Sequence, residues 1–126
     1  MWPGEGARLE LLRAALGIAR ADPPRVAQGD LRHDLSQLAA QAPRDTTMVV
    51  FHTAVLAYVA DARDRIAFAD TVGALDAVWI ANESPGLLED SAPSRAPWPS
   101  GRFLLTQDGR PMVWTDSHGA TIDWLS

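Results

Sequence analysis

The chain has 126 residues, a length typical of one domain, and its 47% hydrophobic and 21% charged residues are typical of a folded protein rather than a disordered one. Its 11 basic residues, all arginine, are outnumbered by 16 acidic residues, and the net charge of −5 argues against nonspecific nucleic-acid binding, which needs a basic footprint. The absence of cysteine and lysine excludes disulfides, thiolate nucleophiles, cysteine-ligated metals, P-loops and lysine Schiff bases.

The first third of the chain is predicted to contain two helices and a short strand. Apolar residues at helical spacing predict a helix over residues 5–21, which Pro23-Pro24 ends. Residues 25–28 form a short predicted strand. Asp30 is the expected N-cap of a second helix over residues 31–42, where apolar residues again recur at helical spacing.

Two buried strands are predicted in the middle of the chain. Residues 46–51 end in consecutive apolar side chains without alternation, which predicts a strand that is covered on both faces and therefore parallel and central. A third helix, capped by Asp61, follows, and residues 76–81 repeat the buried-strand pattern. The prolines within residues 83–101 predict a long loop.

The end of the chain has the pattern of an antiparallel meander. Asp108-Gly109 separates strand patterns over residues 102–107 and 110–115, which is a strong hairpin signal, and residues 120–125 form a final predicted strand. The order of elements predicts an α/β protein with an open sheet. Its parallel strands have helices on their faces, and the three-stranded meander lies at one edge.

Polar residues follow three of the predicted strands. In open α/β sheets, ligands bind just beyond the carboxyl ends of the strands. The candidate residues there, together with the single tyrosine of the chain, are Asp30, His52, Thr53, Tyr58, Asn82 and Glu83. Their recurrence at three strand ends makes this edge the predicted ligand site.

Four of the candidates also have a structural interpretation. Asp30 either caps a helix or accepts hydrogen bonds from a nucleoside-like ligand. His52 is either a general base or a hydrogen-bonded residue that orients the next loop. Tyr58 either contacts a ligand or packs as an ordinary aromatic residue. Asn82 and Glu83 are candidates to hold a polar ligand. The alternative for Glu83 is that it only faces solvent.

Two other chemistries have weak support. A free-standing hydrolase using His52 and Glu83 would need a nucleophile elbow or an oxyanion motif, and neither is visible. Asp116, Ser117 and His118 are neighbours in a turn and cannot form a catalytic triad with one another. No histidine–carboxylate spacing of a known metal site is present, so no metal is expected.

Several runs of the chain resemble one protein family. The most specific are Val49–Tyr58 (VVFHTAVLAY) and Asn82–Gly86 (NESPG), and others are Trp2-Pro3, Arg8-Leu9, Pro23-Pro24, Gly29-Asp30, Ala42-Pro43, Gly101–Leu105 and Asp108–Pro111. Over nearly its whole length, the chain is similar to the carboxyl-terminal part of the domain-of-unknown-function 2332 family of uncharacterised bacterial proteins. By fold analogy, the resemblance implies an incomplete, Rossmann-like (methyltransferase-like) sheet. Residues 1–126 would then be a single domain, the carboxyl-terminal half of a methyltransferase-like domain.

The resemblance also implies what the chain lacks. Family members are longer, and their additional amino-terminal part would hold the glycine-rich turn that cradles S-adenosylmethionine. No G-x-G motif follows a strand in this chain. The resemblance places half of a cofactor site at Asp30, His52 and Thr53, and the substrate contacts are assigned to Tyr58, Asn82 and Glu83. S-adenosylmethionine binding is expected only with the missing half, and catalysis by the chain alone is not expected.

The same resemblance predicts the partners. Residues 25–28 would be the third strand and residues 46–51 the fourth strand of a sheet whose first two strands lie between them. Either residues 25–28 close directly against residues 46–51, or another chain covers the unpaired apolar edge. That chain is a second copy or an amino-terminal half-domain. We expect no nucleic-acid or membrane partner. The lack of cysteine and of an apolar run of about 20 residues favours the cytoplasm.

Overall fold

The computed structural model describes residues 6–88 and 98–125. Trp2-Pro3 and the middle of the predicted loop over residues 83–101 lie outside the described residues. The elements in chain order are α1 (Gly6–Ala21), α2 (Leu35–Ala39), β1 (Met48–Thr53), a 3-10 turn (Leu56–Tyr58), α3 (Ala62–Gly73), β2 (Ala77–Glu83), β3 (Arg102–Gln107), β4 (Arg110–Asp116) and β5 (Ile122–Trp124). None of the helices in these two ranges has the length and apolarity needed to cross a bilayer.

The five strands form one open, mixed sheet in the order β1-β2-β3-β4-β5. β1 and β2 run parallel, with Val50 beside Trp79, and each later strand is antiparallel to the one before it. The crossover between the two parallel strands contains α3, as expected for such a connection. The α/β class and the antiparallel meander at one edge are therefore confirmed.

The Asp108-Gly109 turn between β3 and β4 is also confirmed. Both residues have positive φ, 50° for Asp108 and 75° for Gly109, which is the backbone geometry of tight hairpins. Asp108 donates its backbone N–H to the Trp79 carbonyl at 2.8 Å, and its carboxylate accepts the Trp79 N–H at 2.8 Å. The turn is thereby bonded to the neighbouring strand β2.

The predictions about residues 46–51 are partly wrong. β1 lies at the edge of the sheet, and β2 is its one strand partner in the described ranges. Residues 25–28 do not form the predicted strand and do not close the sheet against β1, and Val26 is 88% exposed. Pro23 and Pro24 have no backbone N–H, so a strand here cannot continue its ladder towards the amino terminus beyond residue 25. Burial alternates along β1, and Val49 and Phe51 lie on its exposed face instead of being covered.

The second helix is shorter than predicted. α2 is little more than one turn long, and Asp34 rather than Asp30 occupies its N-cap position. Asp30 instead begins a turn. Its carboxylate accepts the Arg32 N–H at 2.9 Å, and its own N–H donates to the Asp34 carboxylate at 2.7 Å. These local side-chain bonds compete with the helical start expected at residue 31.

The hydrophobic core lies where α3 and the 3-10 turn cover one face of the sheet. Its buried members are Leu56, Val59, Phe68 and Val72. Residues packed against them include Val50 of β1 and Trp79 of β2, so we call this side the helix-covered face. The predicted N-cap of α3 is confirmed, because the Asp61 side chain accepts the Arg63 N–H at 2.9 Å.

The other side of the sheet, the opposite face, carries exposed aromatic residues at both edges. Side chains alternate along a strand and cross-strand partners share a face, so Phe51 of β1 and Trp124 of β5 both belong to the opposite face. Phe51 is 76% exposed and Trp124 is 75% exposed. Substitutions at Phe51 and at Trp124 can therefore be compared to test the two edges of the sheet separately.

Candidate functional site

His52 and Glu83 form a buried pair near the carboxyl ends of β1 and β2. His52 Nδ1 lies 2.8 Å from Glu83 Oε1, and the two side chains are 9% and 5% exposed. Parallel pairing brings both strand ends to one edge of the sheet, and the alternation of side chains places both residues on the helix-covered face. The structure thus joins two residues that the sequence singled out at separate strand ends.

Trp79 fixes the tautomer of His52. The indole Nε1–H of Trp79 donates to His52 Nε2 at 3.0 Å. Since an indole nitrogen only donates, Nε2 is the accepting nitrogen, and the ring proton lies on Nδ1 and is donated to Glu83. Phe68 contacts the imidazole edge-to-face, with 5.3 Å between the ring centroids. Both ring nitrogens of His52 are therefore hydrogen-bonded.

This arrangement does not provide a general base for hydrolysis. A histidine that activates a nucleophile needs a free ring nitrogen within hydrogen-bond reach of it. Both nitrogens of His52 are occupied, and in residues 6–88 and 98–125 no hydroxyl group bonds to its ring. The geometry favours the structural alternative, in which His52 helps to orient the loop that follows β1.

Glu83 holds that loop in place. Its Oε1 atom also accepts the backbone N–H of Val55 at 2.9 Å and that of Leu56 at 3.3 Å. The backbone turns sharply here, because Ala54 has a φ of 53° and the 3-10 turn begins at Leu56. Charge-assisted bonds to one carboxylate oxygen stabilise the turn that delivers Leu56 into the core.

A surface cleft of about 530 Å³ lies just beyond β1. It is lined by residues 29–32, Val55, residues 58–61 and Asp64. Tyr58, with 89% of its surface exposed, and Asp30 are among these residues. The size and position of the cleft match those of small-molecule sites in α/β sheets. Of the predicted cofactor residues, Asp30 lines this cleft, whereas His52 and Thr53 do not.

Arg32 forms an ion pair with the carboxylate of Asp30. Arg32 Nε donates to both Asp30 oxygens, at 2.9 and 3.1 Å, and Arg32 Nη1 donates to Asp64 at 3.3 Å. The hydrogen bonds from Arg32 hold the pKa of Asp30 well below its usual range, and those from Asp30 raise the pKa of Arg32. A ligand hydroxyl in the cleft would therefore share Asp30 with a guanidinium.

Asp30 is expected to remain ionised at pH values where an ordinary aspartate titrates. Because its folded pKa is lowered, its contribution to stability is present above the unfolded value of about 3.9 and is lost as the pH falls through the folded pKa. A carbon-13 NMR titration should show no transition of the Asp30 carboxyl carbon down to about pH 3. Arg32→Gln should move the transition up towards the ordinary range, although the backbone N–H of residue 32 still donates to Asp30. An ordinary transition in the unsubstituted protein would contradict the ion pair.

Thr53 and Asn82 lie on the opposite face, away from His52 and Glu83. Asn82 Nδ2 donates to Thr53 Oγ1 at 3.3 Å, and Thr115 Oγ1 donates to Asn82 Oδ1 at 2.8 Å. These contacts link β1, β2 and β4 across the sheet. The predicted site residues thus fall into three places: the cleft, the buried pair and the opposite face.

Two residues next to the buried pair were not predicted from the sequence to belong to the site. Trp79 lies four residues before Glu83 in one strand, so period-two alternation was a signal that both share a face. Thr106 is 3% exposed and lines a small cavity together with Glu83. Its position depends on the antiparallel register of β2 and β3, for which the sequence carries no local signal.

Comparison with known proteins identifies a family but no characterised relative. A family model described as "Uncharacterized protein conserved in bacteria (DUF2332)" matches residues 1–124. No curated protein and no solved structure matches the chain. The functional argument therefore rests on the geometry of the fold and of its clefts.

Proposed function

The chain belongs to the DUF2332 family of uncharacterised proteins conserved in bacteria, and from that premise we propose that it is a methyltransferase-like half-domain that is not catalytic by itself. In this proposal, an amino-terminal half-domain adds a parallel strand to the free edge of β1. The added half completes a site for S-adenosylmethionine at the cleft beyond that strand. The uncharged, exposed edge of β1 is the observation that carries the proposal.

The edge of β1 has the properties of a strand-docking surface. Val49 and Phe51 are 48% and 76% exposed. A groove of about 420 Å³ lies beside them. It is lined by the strand itself, by apolar residues of α2 that include Leu35 and Leu38, and by Arg25 and Gln41. Residues 46–51 contain neither charge nor proline, which are common means by which edge strands avoid pairing. Such an edge is suited to accept another strand.

The cleft indicates the direction of the added strand. A strand beside β1 contributes to that cleft when its carboxyl end lies next to the carboxyl end of β1. This requires a strand that runs parallel to β1. Two copies of β1 related by a two-fold axis pair in an antiparallel manner, which separates their carboxyl ends. A different segment with a parallel strand therefore fits the cleft better than a second copy does.

The two halves would divide the cofactor between them. Asp30 would accept hydrogen bonds from the adenosine part, and the exposed ring of Tyr58 would provide a stacking surface. The backbone turn that holds the methionine part would come from the added half, since no strand within residues 6–88 and 98–125 is followed by a G-x-G motif. His52 and Glu83 would act indirectly, by fixing the loop that carries Tyr58.

Phe51→Lys is expected to abolish docking of the amino-terminal half. The test is co-expression with the tagged amino-terminal half of a longer family member, followed by affinity capture. A lysine at the centre of a desolvated edge should reduce the captured amount at least about tenfold. Trp124→Lys is the matched control, because Trp124 is equally exposed on the same face at the other edge. Equal capture of both variants would contradict docking at β1.

Calorimetric titration with S-adenosylmethionine tests the cofactor part of the proposal separately. We expect no measurable heat of binding with the chain alone and saturable binding with the captured complex. Micromolar binding by the chain alone would overturn the half-domain proposal, because the cofactor site would then be self-sufficient.

Self-association at the same edge is the second candidate function. The observation that favours it is that residues 46–51 carry no charge, so two copies of this strand do not repel each other. Analytical ultracentrifugation distinguishes the two candidates. A dimer that Phe51→Lys abolishes supports self-association, and a stable monomer across the accessible concentrations excludes it.

A further inference from the structure

Two buried oxygen atoms on the helix-covered face have no hydrogen-bond partner among the described residues. They are Glu83 Oε2 and Thr106 Oγ1. Glu83 is 4% exposed and Thr106 is 3% exposed, so bulk solvent does not satisfy either group. Buried polar atoms in native proteins are almost always bonded to protein or to an ordered small molecule.

Both residues line the same cavity, which measures about 10 Å³. In the antiparallel ladder, Glu83 pairs with Leu104 and Ala81 pairs with Thr106, so Glu83 and Thr106 are diagonal neighbours on adjacent strands. The rest of the wall is mostly apolar, with Pro85 and Leu88 on the side of the chain after β2. This space is the smallest that holds one water-sized molecule.

We propose that one small hydrogen-bond donor, water or an ammonium ion, binds in this cavity between Glu83 Oε2 and Thr106 Oγ1. A donor is required because a carboxylate oxygen only accepts hydrogen bonds, whereas the threonine hydroxyl can accept or donate. The other carboxylate oxygen is already occupied by His52 and two backbone N–H groups. The bound molecule completes the hydrogen bonding of Glu83 and joins β3 to the loop after β1. This site is independent of the proposed docking at the edge of β1.

The sign of the stability change in Thr106→Val tests the proposal. If the donor is bound, valine removes one of its two polar contacts, and the urea midpoint of unfolding falls. If the cavity is empty, the substitution merely replaces an unsatisfied buried hydroxyl by a methyl group of similar shape, and the midpoint is unchanged or rises. Thr106→Ser keeps the hydroxyl and should lie closer to the unsubstituted protein. Thr71→Val is the control, because Thr71 bonds within its own helix.

A crystal structure and a salt comparison complete the test. We expect a density peak within hydrogen-bond distance of both oxygens, and its absence at high resolution would overturn the proposal. Ammonium chloride and sodium chloride at equal concentration identify the occupant. A higher thermal midpoint in ammonium indicates the cation, and equal midpoints together with the density peak indicate water.

Discussion

Glu83→Ala is expected to lower the free energy of unfolding by about 3–5 kcal/mol, one of the largest single-site effects in this protein. The substitution leaves His52 Nδ1 and the N–H groups of Val55 and Leu56 without their shared acceptor, in a part of the molecule that is almost closed to water. Each buried donor that loses its partner is destabilising. The measurement is urea unfolding followed by tryptophan fluorescence, to which Trp79 beside the pair and the four other tryptophans contribute.

Two further variants make this prediction specific. Glu83→Gln keeps one acceptor oxygen and the shape of the side chain, so we expect a smaller loss, about 1–2 kcal/mol. This variant remains measurable if the alanine variant does not fold. Glu10→Ala removes a carboxylate from the exposed surface of α1 and should change stability by no more than about 0.5 kcal/mol. Equal effects of the three substitutions would mean that Glu83 does not hold the loop after β1.

Leu56→Ala is expected to destabilise the protein by about 2–5 kcal/mol. Leu56 is completely buried among Val59, Phe68 and Val72, and truncation leaves a cavity in a core that has few other buried members. The spread of this range reflects how far the core can relax around the missing atoms. Chemical denaturation at constant temperature measures the loss directly.

Leu11→Ala is the matched control for the core substitution. Leu11 lies in α1 with 72% of its surface exposed, so the same chemical change there should alter stability by no more than about 0.5 kcal/mol. A loss at Leu11 as large as that at Leu56 would show that α1 is buried in solution. The core on the helix-covered face would then not be the main source of stability.

The fold predictions succeeded where the cause of the structure is local. Asp61 caps α3 because its side chain reaches an N–H group two residues away. Asp108-Gly109 makes a hairpin because both residues tolerate positive φ. Such features depend on a few consecutive residues, so the sequence is enough to predict them.

The predictions failed where coverage by distant parts of the chain decides the outcome. The apolar run at residues 46–51 indicates a strand, but not which of its faces or edges are covered. Val50 packs against the core while Phe51 is exposed, although both lie in the same run. At Asp30, the competing bonds to Arg32 and Asp34 produced a turn instead of a helix start.

The candidate site shows the same division. The sequence by itself placed polar residues at strand ends and identified His52, Glu83, Asp30 and Tyr58 as the residues to examine. Only the tertiary structure decided that the first two are a buried pair and the last two line a cleft. The physical reason is register: the pairing of β1 with β2 and of β2 with β3 selects which side chains share a face, and hydrogen bonds from Trp79 and Arg32 then occupy the polar atoms. Residue identity fixes the available chemistry, whereas contacts between residues far apart in the chain fix which of those groups remain free.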